Sequence, residues 1–150
     1  MNGLVVVDAS VTVKWLVSEV HSDMAYALAR SWARQEVQPV APYLMPVEVA
    51  NALHRRVVRK EVSVESVVRL LEGLLASGIE LREPPRIHSR ALELAEQLQQ
   101  GAAYDAHYLA LAETLDCELW TADERFYRAA NTFFTKVKWL GEFRLINEPS

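Results

Sequence analysis

Four acidic residues, Asp8, Glu48, Asp105 and Asp123, share one type of position, the end of an element where a parallel α/β sheet binds its ligands. Asp8 follows Leu4-Val5-Val6-Val7, an apolar run without alternation that reads as a strand buried on both faces. Asp123 follows a second short strand through Thr121-Ala122. Glu48 lies in the first turn of a helix begun near Pro46, and Asp105 in the first turn of one begun near Ala102. Strand carboxyl ends and helix amino ends lie at the same edge of a parallel sheet, so all four carboxylates can meet there. Close carboxylates repel and raise one another's pKa. Helix amino ends favour the ionised forms by up to about 1 kcal/mol each when exposed. That does not balance four charges, whereas a divalent cation does. An all-oxygen site selects Mg²⁺ or Mn²⁺, with water completing the octahedron. No histidine joins the set: His107, two residues from Asp105, faces elsewhere, which argues against zinc.

Polar neighbours can orient these carboxylates. Ser10 lies two residues past Asp8, Asn51 one turn after Glu48, and Thr121 two before Asp123. A bound divalent cation makes water nucleophilic at neutral pH, and paired metals hold both oxygens of an in-line phosphoryl displacement. Phosphodiester hydrolysis is therefore the natural chemistry. Taken singly, each residue has a plainer role. Asp8 and Asp123 can cap the helices that follow them, and Glu48 and Asp105 suit a helix dipole. The chemical reading rests on the joint pattern. The basic run His54-Arg55-Arg56 with Arg59-Lys60 can guide a phosphate backbone, but also suits a helix carboxyl end.

The elements that must position these residues follow in order. Strand 4–7 precedes a short helical turn over Val11–Val17. Ser22 opens a helix that fades near Gln38-Pro39, and Val40-Ala41 forms a strand closed by Pro42. The helix from Pro46 carries Val49, Leu53 and Val57 and ends in the basic run. Ser63 caps a helix with Val67, Leu70, Leu71 and Leu74 on one face, ended by Gly78. Ile79–Leu81 is a strand, Ile87–Leu98 a helix broken by Gly101, and Ala102–Leu115 another helix. Glu118–Thr121 is a strand, Asp123 begins a helix through Arg128, and Val137–Leu140 is a fifth strand. Asn147–Ser150 reads as a frayed tail. Strands alternating with helices predict an α/β fold, a three-layer α/β/α sandwich around a mostly parallel sheet.

Composition bounds the rest. At 150 residues, 51% hydrophobic and 24% charged, the chain reads as one globular domain over residues 1–150. The net charge of −4 supplies no global attraction to nucleic acid or to an anionic membrane. One cysteine, Cys117, precludes an internal disulfide and a cysteine-rich zinc site, and it reads as a small buried hydrophobe. The first residues lack the basic region of a signal peptide, and no apolar run approaches a membrane span, so the cytoplasm is the expected location. None of the five glycines builds GxGxxG or GxxxxGK[ST]. Trp15, Trp32, Trp120 and Trp139 read as core or interface aromatics.

Nearly the whole chain resembles the PIN-domain family, specifically the ribonuclease toxins of VapBC-type toxin–antitoxin pairs. The segments that carry the resemblance are VVVDASVTVKWLVSE (Val5–Glu19), APYLMPVEVANAL (Ala41–Leu53), YDAHYLALAE (Tyr104–Glu113), LWTADERFY (Leu119–Tyr127) and VKWLGEF (Val137–Phe143). The family's acidic quartet falls on Asp8, Glu48, Asp105 and Asp123, and its polar helpers on Ser10, Asn51 and Thr121. The resemblance implies a Mg²⁺- or Mn²⁺-dependent endoribonuclease acting on RNA, a homodimer, and inhibition by an antitoxin protein. The antitoxin would lie in an apolar groove between helices, here those around residues 46–60 and 63–77. It also implies Asp8 and Asp105 as direct metal ligands, with Glu48 and Asp123 binding directly, through water, or to a second metal. Where relatives often carry a hydroxyl residue before Tyr-Asp-Ala, this chain has Gly101-Ala102-Ala103, which leaves the Asp105 helix without a side-chain cap.

Three other readings compete. A non-catalytic PIN-like module that binds RNA or protein would not need an intact quartet. A receiver domain would carry paired acids after the first strand and an Asp after the third, where this chain has Asp8-Ala9-Ser10 and Arg82-Glu83. A haloacid-dehalogenase-type phosphatase would carry a second Asp at the position of Ser10.

Overall fold

The computed structural model describes residues 3–143, and the expected tail at Asn147–Ser150 lies outside them. The order of elements is β1 (Leu4–Val7), α1 (Ala9–Leu16), α2 (Ser22–Arg34), β2 (Gln38–Ala41), α3 (Leu44–Val58), α4 (Val64–Leu75), β3 (Glu80–Leu81), α5 (Ile87–Gln97), α6 (Tyr104–Leu115), β4 (Glu118–Thr121), α7 (Glu124–Ala130) and β5 (Val137–Trp139), then a 3₁₀ turn over Leu140–Glu142. The five strands run parallel in the order β3-β2-β1-β4-β5. The result is the expected α/β sandwich.

β1 is the axis of the molecule. Val5, Val6 and Val7 are all buried, because helices cover both faces of the sheet. Val6 belongs to one core with Met45, Val49 and Leu53 of α3, Leu109 of α6, Leu119 of β4 and Phe126 of α7. Val5 and Val7 face the other, with Val11 of α1 and Met24, Leu28 and Trp32 of α2. Alternate residues of one strand thus serve two apolar layers. β1 has β2 and then β3 on one side and β4 and then β5 on the other. The chain therefore reverses its direction of travel across the sheet at β1. A crevice opens at the carboxyl ends of β1 and β4, the usual ligand position in such folds.

Several boundaries differ from expectation for identifiable reasons. α1 begins at Ala9 rather than Val11, because Asp8 caps it. α2 ends at Arg34; Glu36 takes a left-handed conformation (φ 56°), and Gln38-Pro39 then belong to β2, with Pro39 opposite Val5. α4 ends at Leu75, three residues before Gly78, which has φ 100°. β3 is only two residues long, Glu80–Leu81. Gln99, with φ 55°, takes the left-handed position after α5, two residues before Gly101, the expected break. α6 starts at Tyr104 and not Ala102, and no side chain caps it. β5 stops at Trp139, because Leu140 turns into the 3₁₀ segment and is buried there. Cys117 is buried as a free thiol. Among the described residues, no helix is long and apolar enough to cross a membrane.

Leu109 lies at 1% exposure on α6, four residues after Asp105, and ties that helix to the core. Leu109→Ala is expected to destabilise the fold by roughly 2–5 kcal/mol. Urea unfolding followed by far-ultraviolet circular dichroism measures it, and a loss below about 1 kcal/mol would contradict the packing described.

Candidate active site

Asp8 is the residue from which the site is built. It is 3% exposed at the end of β1 and caps α1, its Oδ1 accepting from the Val11 amide at 3.3 Å. Ser10 Oγ donates to the same oxygen at 2.5 Å. Ser10 Oγ in turn accepts from the Ala122 amide at 2.8 Å and lies 3.4 Å from Thr121 Oγ1. Thr121 is fully buried, and its hydroxyl accepts from the Asp123 amide at 3.1 Å. One chain of hydroxyls therefore ties the end of β1 to the end of β4. Asp123 caps α7, its Oδ1 accepting from the Phe126 amide at 3.0 Å. The plain capping roles of Asp8 and Asp123 are both real, and neither prevents the carboxylate from facing the crevice.

Asp8, Glu48, Asp105 and Asp123 line one cavity of about 330 Å³, with Ser10 among its walls. Glu48 reaches it from α3 and Asp105 from the first turn of α6. Thr121 lies behind the wall. Asn51 is exposed and does not line the cavity: three residues after Glu48 it has rotated past the opening, while Ala52 and Arg55, four and seven residues on, line it. Among the described residues, none of the four carboxylates is in an ion pair. Glu124 pairs with Arg128 at 2.6 Å, outside the cavity. His107 also turns away, donating Nδ1–H to the Ala103 carbonyl at 2.7 Å and facing His88 at 3.0 Å.

Electrostatics show the strain of this arrangement. Burial pushes the Asp8 carboxyl up to about 7; the Ser10 and Thr121 hydroxyls pull it back, and the charge of Asp105 pushes it further. Asp105 rises to about 6 through its own burial and the charges of Asp123 and Glu48. Tyr108 OH donates to Glu48 Oε1 at 2.5 Å, and its burial together with that bond raises the phenol far above its usual value. Among the described residues, no group of three or more His, Cys, Asp or Glu side chains is gathered tightly enough to enclose a metal ion directly. The donors are all oxygen, carry uncompensated charge and leave room for solvent. Such a set suits a cation held by one or two carboxylates that keeps several waters, as Mg²⁺ does.

Three polar lining residues carry no assignment from the sequence pattern, Lys14, Glu19 and Tyr108, and a fourth, Arg55, belongs to the basic run that can guide a phosphate backbone. Helical spacing offered a signal for three of these four. Lys14 is four after Ser10, Arg55 seven after Glu48, and Tyr108 three after Asp105. Glu19 lies in the loop after α1, where periodicity says nothing.

The acidic cavity lies at the switch point of a parallel sheet, where α/β proteins of this class bind their ligands. The chain belongs to the PIN domain family, which matches residues 5–132. Over 91 residues it is 41% identical to Ribonuclease VapC1 of Mycobacterium tuberculosis, covering 59% of this chain and 65% of that protein, under two thirds of its length. Over 122 residues it is 30% identical to Ribonuclease VapC9 of Mycobacterium tuberculosis, covering 81% of this chain and 87% of that one. The fold is similar to that of PAE2754 from Pyrobaculum aerophilum, with a TM-score of 0.63 at 22% identity, covering 91% of this chain and 97% of that one.

A raised carboxyl pKa means that the folded chain holds its proton more tightly than the unfolded chain does, whose Asp titrates near 3.9. The stability Asp8 contributes is full below about pH 4 and is lost as pH rises through about 7. In EDTA, Asp8→Asn is expected to gain on the order of 2–4 kcal/mol relative to wild type between pH 4 and pH 8. Urea midpoints of both proteins across that range measure it, and parallel curves would refute the raised pKa.

Proposed function

We propose that the protein is a Mg²⁺- or Mn²⁺-dependent endoribonuclease that hydrolyses RNA phosphodiester bonds, the toxin of a type II toxin–antitoxin pair. The observation that carries this reading is the meeting in one cavity, at the carboxyl ends of β1 and β4, of four carboxylates that have no ion-pair partner among the described residues. The names of both mycobacterial relatives, ribonucleases, support it.

On this reading Asp8 and Asp105, each raised by burial and by the charge of neighbouring carboxylates, are direct ligands of the cation. Glu48 and Asp123 complete the set, directly or through water. When bound, the cation supplies positive charge to the phosphoryl oxygens and lowers the pKa of water. The chain's own residues do the rest. Ser10 and the helix amino end oppose the effect of burial on Asp8 and aim its carboxyl, and Thr121 fixes both Ser10 and the turn to Asp123. Tyr108 fixes one oxygen of Glu48 and leaves the other to the cavity. Asn51 is assigned no contact, since it lies outside the lining.

Cleavage of a mixed single-stranded RNA should require Mg²⁺ or Mn²⁺, stop in EDTA, and fall at least 10²-fold in Asp8→Asn, which keeps the shape of the site and removes its charge. Metal-independent cleavage, or cleavage unchanged in the variant, would overturn the reading. RNA binding without cleavage under any metal would favour the non-catalytic module instead.

The antitoxin belongs to the same proposal. Between α3 and α4 lies an apolar groove of about 160 Å³, lined by Leu53, Val57, Val64, Val67, Val68 and Leu71 among others. It lies on the pair of helices that the resemblance points to and suits the apolar face of a partner segment. Homodimer formation and a cytoplasmic location are part of the proposal, supported by the family resemblance. Val68→Glu places a charge in the groove, on a residue 48% exposed. It should weaken capture by the cognate antitoxin at least tenfold and leave RNA cleavage intact. Unchanged inhibition in a titration of activity against antitoxin would exclude this groove.

A further inference from the structure

The cavity holds a second charged system beside the four carboxylates. Lys14, on the same wall, is paired not with any of them but with Glu19, Nζ to Oε1 at 3.3 Å. The other Glu19 oxygen, Oε2, accepts from Arg56 at 2.6 Å, and Arg56 also reaches Glu61 at 3.2 Å. The Glu19 backbone is fixed as well. Its amide donates to Ser22 Oγ at 2.9 Å, its carbonyl accepts from the Ser22 amide at 3.1 Å, and Ser22 is buried. Burial works against the charge of Glu19, yet Arg56 and Lys14 outweigh it and hold this carboxyl below its usual value. Glu19 is therefore an anchored anion. Lys14, whose side chain is 14% exposed, has three N–H donors, and Glu19 takes one.

A mobile lysine among four unpaired carboxylates would fold onto them and displace a cation. Glu19, in the same lining, competes for it through their ion pair. We propose that Lys14 binds a phosphate of the RNA backbone in the cavity, and that Glu19 is a positioning residue that keeps the ammonium off Asp8, Glu48, Asp105 and Asp123. This inference rests on the ribonuclease reading and deepens it. The chain's net charge of −4 gives RNA no general attraction, so a local cation at the acidic cavity must offset the approach of each phosphate. Arg55, exposed on the same lining, is a second cation on that path.

The test separates a phosphate contact from a structural ion pair at the end of α1. Binding of a fluorescent mixed-sequence single-stranded RNA is measured against salt, in the Asp8→Asn background with Mg²⁺ present, with and without Lys14→Met. Loss of one phosphate contact should lower the slope of log K against log salt by about 0.7 and weaken binding severalfold. In the active protein, Glu19→Gln should raise the Mg²⁺ concentration for half-maximal cleavage three- to tenfold. Adding Lys14→Met to Glu19→Gln should return that requirement toward wild type, a reversal that simple loss of structure would not give. An unchanged slope and affinity in folded Lys14→Met, or a Mg²⁺ requirement unmoved by Glu19→Gln, overturns the inference while cleavage by wild type leaves the ribonuclease reading intact. Wild-type protein that neither binds nor cleaves RNA overturns both.

Discussion

The site depends on holding one carboxyl, Asp8, in a place that water scarcely reaches. β1 is buried on both faces, so the residue that ends it inherits that burial. An isolated anion there would be costly, and its raised pKa records part of that cost. Four features offset it: the Ser10 and Thr121 hydroxyls, the Val11 amide and the amino end of α1. Ser10 can serve only because the Ala122 amide and Thr121 fix it, and those belong to β4, more than a hundred residues away. The parallel pairing of β1 with β4 and the state of Asp8 are thus one constraint. Val7 lies opposite Trp120, which places the two strand ends side by side.

The same constraint explains what could be read from the sequence. Asp8, Asp105 and Asp123 were legible because each follows from a local rule, a buried strand's end or a helix's first turn, and the parallel sheet supplies the common edge. Ser10 and Thr121 were legible for the same reason. Glu48, expected in a first turn begun near Pro46, is instead the fifth residue of α3, which starts at Leu44 because Pro46 fits the third helical position as well, where its missing N–H again costs nothing. Asn51 was misplaced because three residues along a helix leave a side chain about 60° from the axis of Glu48, and only the structure shows where the opening falls. The α6 start was misjudged because residues 101–103 carry no capping side chain to mark it. Glu19 was illegible, since its position depends on the Ser22 hydroxyl and on Arg56, thirty-seven residues further along the chain. Spacing rules capture periodic elements and miss contacts made by loops.

Capping and chemistry coincide at Asp8 and Asp123, and the coincidence has a physical basis. A helix amino end offers free amide donors and positive potential, so it stabilises any carboxylate placed there. A carboxylate that caps through one oxygen is held in a single orientation, and its other oxygen is presented at a fixed angle. Asp8 takes the Ser10 hydroxyl and the Val11 amide on the same oxygen, Oδ1. Local stability and site geometry are served by one bond, so a sequence pattern that looks structural residue by residue can be chemical as a set.

The distribution of cations around the cavity completes the argument. Lys14 and Arg56 stand close by, yet they form ion pairs with Glu19 and not with the four carboxylates. Ion pairs across the quartet would have stabilised the metal-free fold and occupied the oxygens at once. Without cationic partners among the described residues the carboxylates repel one another, and the raised Asp8 and Asp105 values record part of that repulsion. A fold can sustain that only where the rest of its core is well packed, and here the strain lies between two apolar layers joined by β1. The acidic cavity is therefore best understood as charge held apart by neighbouring hydrogen bonds and by a competing anion, Glu19, rather than as four acids that happen to share a wall.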